Sequence, residues 1–136
     1  MRHAQSRRGV AATELAFLLP LLVLLFAIGV DWGRIFYYSI TIDNCARNGA
    51  LFAMDPYSNI KSPYANMTAA ALADAPNLSP QPTVTTASGV TADGYKYVDC
   101  TVTYPFKTMT QLPGVPTTTS LARTVRVFVA PETPSF

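Results

Sequence analysis

The chain has 136 residues, 49% of them apolar and only 13% charged, against about 25% charged in an ordinary soluble domain. That length holds one small core, the apolar content excludes a disordered chain, and the single histidine, His3, removes the Ser/His, Cys/His and His-rich metal sites that most hydrolytic chemistry uses. The net charge of +2 conceals a division: Arg2, Arg7 and Arg8 precede Gly9 with no acid among them, while the remainder carries seven Lys or Arg against eight Asp or Glu. So short a basic head, with no aromatic residue between its arginines, is no nucleic-acid arm and reads as a membrane-topology signal.

Leu15 to Val30 follows without a charge, and counting back to Val10 adds only Thr13 and Glu14 as polar interruptions. As a helix, Val10 to Val30 reaches about 31 Å, the thickness of a hydrocarbon core of about 30 Å. Arg7 and Arg8 before it and Asp31 after it put the N-terminus in the cytoplasm and the long C-terminal part outside. Three readings fit the segment. A cleavable secretory signal has such a head, with Ala27-Ile28-Gly29 as its small-residue end, and a plain signal anchor needs nothing more. Both leave Glu14 unexplained, because a carboxylate one turn inside an apolar helix costs several kcal/mol unless it is partnered.

The third reading comes from a resemblance. RRGVAATELAFLLPLLVLLFAIGVDWGR, Arg7 to Arg34, continued by IFYYSITIDNCARNGALFA, resembles the N-terminal region of the TadE-like family of pilin-like proteins, which belongs to tight-adherence (Flp-type) pilus and secretion systems. The matching parts are the Arg-Arg-Gly head, Glu14 five residues after Gly9, Leu19-Pro20 within the apolar run, Asp31 before Trp32-Gly33-Arg34, and Asn44-Cys45-Ala46-Arg47-Asn48-Gly49-Ala50. The resemblance implies cleavage by a membrane aspartyl prepilin peptidase after Gly9, exposing Val10 and making Glu14 the fifth mature residue. It further implies that Glu14 meets the free α-amino group of a neighbouring subunit as helices bundle, and losing one partner of such a buried pair costs about 3 to 5 kcal/mol. Leu15 departs from the family's major pilins, which carry an aromatic residue after the Glu; the alternative is that the leader stays attached and Glu14 snorkels or pairs with an arginine.

Beyond Val30 the helical period continues. Ile35, Tyr38, Ile42, Cys45, Ala46, Gly49, Phe52 and Ala53 form one apolar stripe, with Thr41, Asn44 and Asn48 opposite and Asp43 and Arg47 spaced as an ion pair. Asp55-Pro56 ends the segment, so one helix over residues 10–54 is expected, with a kink at Pro20. Trp32, Tyr37 and Tyr38 read as an interfacial aromatic belt, and Asp31 with Arg34 as a surface pair at its edge.

The rest predicts a loop at Asp55 to Pro63, a short helix at Tyr64 to Ala75, and an edge strand at Thr83 to Ala87, with turns at Ser88-Gly89 and Asp93-Gly94. Period-two strands are expected at Tyr95 to Tyr104 and Leu121 to Ala130, joined by a long exposed connection from Pro105 to Ser120. The fold class is therefore α+β: a long N-terminal helix, transmembrane and then periplasmic, packed on a small antiparallel sheet. Its parts are a basic leader at 1–9, the helix at 10–54, and an α+β region at 55–136 that completes one domain with the helix. Cys45 on the stripe and Cys100 on the apolar face of its strand point into one core, which fits either a disulfide, favoured in an oxidising compartment, or two buried thiols. Asn66-Met67-Thr68 is a sequon by pattern alone.

The expected protein is a single-pass inner-membrane, pilin-like subunit that works through subunit contacts. Its partners are the inner membrane, other pilin-like subunits with their assembly machinery, and the prepilin peptidase. No catalytic site, cofactor, metal, nucleic acid or small-molecule substrate is expected. The alternative is an uncleaved periplasmic binding module on a signal anchor, using the Pro105 to Ser120 connection for recognition. A secreted domain released near Val30 is a third outcome.

Overall fold

The computed structural model describes residues 3–55, 57–110 and 116–130; the side chains of 3–8, 58 and 59 lie outside the description. Helix α1 runs unbroken through His3–Met54, with Pro20 inside it, and is about 78 Å long at 1.5 Å per residue. It starts earlier than expected, taking residues 3–9 of the basic leader into the helix. Short helices α2 (Ser58–Lys61) and α3 (Met67–Leu72) follow. Strands β1 (Thr83–Val90), β2 (Lys96–Lys107) and β3 (Thr118–Phe128) complete the chain as an antiparallel meander in the order β1-β2-β3.

The core is built where the apolar stripe of α1 meets the central strand. Ile42, Cys45, Ala46 and Ala50 of α1 are buried against Cys100, Val102, Tyr104 and Phe106 of β2, with Ala71, Ala75 and Leu78 closing one side. Ile35, Tyr38, Val84, Leu121, Val125 and Val127 pack around them, half-buried. Phe106, Ile42 and Val102 are the largest fully enclosed side chains, each worth about 1.5 to 3 kcal/mol in removed apolar surface.

Strand β2 lies along α1 and is tied to it near both ends. At one end the Ala130 amide donates to the Met54 carbonyl at 3.0 Å and the Val129 amide to the Lys96 carbonyl at 3.0 Å. At the other end the chain just past β2 is held by Asp31. Asp31 to Met54 spans about 34 Å of helix axis and the twelve residues of β2 about 40 Å, so the strand matches the stripe in length.

Several expectations need correction. Ser88-Gly89 lies within β1, and the turn falls at Thr91 to Gly94, where Gly94 takes φ 84°, a conformation open to glycine at little cost. Pro105, Phe106 and Lys107 belong to β2, and Thr118 to Ser120 to β3. The exposed connection is thereby shortened, closed by the Thr108 amide on the Thr117 carbonyl at 3.1 Å; within it, 111–115 lie outside the described residues. The helix expected over Tyr64 to Ala75 contracts to Met67–Leu72, because Asn66 caps it: the Asn66 Oδ1 accepts from the Ala69 amide at 2.8 Å. The sequon residue is therefore a helix cap.

Candidate assembly and membrane-boundary site

The first functional feature is the rod itself. From Gly9 to Val30 no residue of α1 is buried, with Phe17 90% and Phe26 74% exposed. The candidate span lies within Gly9–Met54, with a mean hydropathy of 2.4 in its most apolar window and none of that window covered by the rest of the fold. A helix that is apolar all round and uncovered belongs in lipid or among other apolar helices. The chain thus has one helix that fits a single-pass membrane protein. Gly9, Val10 and Glu14 all stand exposed on it; the side chains of Arg7 and Arg8 lie outside the described residues.

The second feature sits where the rod ends. Asp31 is 5% exposed and is the buried charged residue of the described chain. Its carboxylate accepts from the Thr110 hydroxyl at 2.6 Å, the Met109 amide at 2.9 Å, the Thr110 amide at 2.9 Å and the Arg34 guanidinium at 3.2 Å. The surface pair expected between Asp31 and Arg34 is therefore only one strand of a clamp that holds the start of the β2–β3 connection against the helix. Those donors, the Thr110 hydroxyl foremost and then the Met109 and Thr110 amides, outweigh the cost of burial and pull the Asp31 carboxyl from 3.8 to about 2. Sequence spacing reveals Arg34 as a partner, whereas Met109 and Thr110 are 78 and 79 residues away.

Around this clamp the expected aromatic belt divides. Trp32 and Tyr37 remain exposed, but Tyr38 turns into the core edge, stacked on Tyr104 at 5.0 Å between ring centroids and 5.6 Å from Phe106. The Arg34 guanidinium lies 5.1 Å from the centre of the Phe106 ring, within the range of cation–π attraction.

Farther along α1, Gly49 sets how closely the helices meet. A Cβ there would come within 2.6 Å of the Cys100 Sγ and 3.1 Å of the Ala71 Cβ. Asn48 donates to the Asp74 carboxylate at 2.7 Å, and Arg47 pairs with Asp43 at 2.9 Å, as the spacing predicts. The Asn-x-Ala-Arg-x-Gly-Ala segment is thus mainly a packing device. Cys45 and Cys100 are both fully buried in this core and are free thiols in the structure. Burial first, and then the charge of Asp74, pushes the Cys45 thiol up to about 11, and burial raises that of Cys100.

On the outer face of the sheet, Arg126 makes two contacts of 2.7 Å to Asp99, its register partner on β2, and covers the Tyr97 ring at 4.0 Å. Sequence reading missed this pair, whose residues become neighbours only once the strand register is known. No group of three or more His, Cys, Asp or Glu residues able to hold a metal ion occurs among the described residues.

No curated protein and no solved structure matches the chain. Residues 9–51, about a third of the chain, from the start of the apolar rod through the packing segment at Gly49, match the family model described as TadE-like protein, so this segment is similar to that family.

Proposed function

We propose that this chain is a pilin-like component of a tight-adherence, Flp-type pilus or related secretion system, acting through contacts between subunits and without catalysis. The observation that carries the reading is the uncovered apolar rod with Glu14 near its start, at the head of a segment matching the TadE-like family. Among the described residues, no side chain from Gly9 to Val30 is buried, and only Ala27 and Ile28 are half-buried. Lipid satisfies the apolar side chains of that stretch but not the carboxylate. Cleavage after Gly9 by a prepilin peptidase frees an α-amino group on Val10, and the Val10 ammonium of a neighbouring subunit supplies an opposite charge that Glu14 does not find among the described residues. The N-terminus is cytoplasmic and the folded part periplasmic, in keeping with the arginines ahead of the rod.

Glu14 then fixes the register between rods. Replacing it with Gln keeps shape and removes charge, leaving the neighbour's ammonium buried and unpaired at about 3 to 5 kcal/mol. The expected result of Glu14→Gln in cells is a membrane-inserted, folded subunit that no longer co-purifies with its pilin-like partners. Co-purification equal to the parent protein contradicts the register role.

A further inference from the structure

The chain just outside the rod forms a cavity that the assembly reading does not use. It has a volume of about 250 Å3 and is lined by Arg34, Tyr38, Ser79, Tyr104, Phe106 and Lys107 among others, room for roughly eight waters at about 30 Å3 each. Two cations and no carboxylate stand in its lining. Arg34 gives one nitrogen to Asp31 at 3.2 Å and retains further N–H donors of its planar fork. Lys107 is exposed at the end of β2 and takes part in none of the ion pairs formed among the described residues. The Tyr104 hydroxyl, donating to the Ser79 carbonyl at 3.3 Å, and the Tyr38 side chain complete a wall that is polar at its tips and aromatic in its body.

Its height above the rod suggests the ligand. Arg34 follows Val30 by four residues, about 6 Å along the helix axis. The headgroup layer on each side of a hydrocarbon core is about 5 to 7 Å thick. Lys107 is held at a similar height because Met109, two residues on, donates to Asp31. Arg34 and Lys107 therefore lie at the depth of lipid phosphates, and Tyr38, about 12 Å past Val30 along the axis, places the aromatic wall of the cavity farther out from the bilayer.

We propose that Arg34 and Lys107 bind the phosphate of an anionic phospholipid from the leaflet next to the folded part, with the headgroup entering this cavity. The proposal rests on the reading that Val10 to Val30 spans a bilayer. Both can be tested with full-length chain reconstituted in vesicles of phosphatidylcholine alone or mixed equally with phosphatidylglycerol. Flotation with both kinds of vesicle reports the span, and failure to float with either removes the membrane reading. The site itself is read by native mass spectrometry of lipid retained after extraction from the mixed vesicles. Phosphatidylglycerol should be retained in preference to phosphatidylcholine, and Lys107→Gln should lower that ratio about fivefold, the effect of one basic residue at an anionic surface. Lys96→Gln, at the far end of β2, should leave it unchanged. Equal retention of the two lipids, an unaltered ratio in Lys107→Gln, or an equal fall in Lys96→Gln overturns the proposal. Displacement of the lipid by millimolar inorganic phosphate overturns it too, by assigning the cavity to free phosphate.

Discussion

Asp31 does the work of two elements with one side chain. It ends the uncharged run, and it gathers a hydroxyl, two amides and a guanidinium from residues on either side of the core. The folded state holds this carboxyl at about 2, below its ordinary 3.8, so the clamp is fully present above about pH 4 and is lost as pH falls through about 2. In NMR spectra of detergent-solubilised protein, the Met109 and Thr110 amide shifts should titrate together with a midpoint near pH 2. A midpoint near 3.8 means that the carboxylate is not clamped. Asp31→Asn, which loses the negative charge, should speed hydrogen exchange at both amides about tenfold, the scale of a charge-assisted bond lost, while leaving exchange in β1 unchanged. Asp31 was legible as a boundary charge because it follows Val30. Its main partners were not, since nothing local in a sequence joins residue 31 to residues 109 and 110.

The elements show which signals carry across distance. The stripe of α1 and the inner face of β2 were readable, because periods of 3.6 and 2 report which side of an element is buried. What failed was the extent of β2. Pro105 breaks a strand pattern, yet β1 pairs with β2 only as far as Thr103, so beyond that point β2 has a neighbour on one side and tolerates a proline as an edge strand does. Phe106, next in line, continues the buried face of Val102 and Tyr104 and is 1% exposed, though it lay in the segment expected to be a loop. The contact of α1 with α3 depends on small residues, Gly49 above all. Gly49→Ala brings a methyl into the Cys100 sulfur and the Ala71 methyl, and the overpacking should cost about 1 to 3 kcal/mol despite the better helix propensity of alanine. Urea unfolding checks this: an unchanged midpoint would mean that α1 and α3 sit farther apart than described.

At the scale of the whole molecule, the chain is a rod of which one half is covered and the other bare. The sheet and α3 cover α1 from Asp31 to Met54, giving that half its own core, while no side chain from Gly9 to Val30 is buried by the described residues. This asymmetry was legible from the outset, since the first half lacks a polar face and the second has one. The covered half thus has a core of its own, and the bare half has no comparable covering among the described residues. The central claim is that the bare half is an assembly helix with a processed end, and the most direct test is the intact mass and N-terminal sequence of the protein taken from membranes of cells carrying its pilus system. The account predicts a chain that starts at Val10, with the basic head removed. A chain that retains Met1 to Gly9 contradicts it and leaves a simple membrane anchor, and a soluble product starting near Val30 contradicts it in favour of a secreted domain.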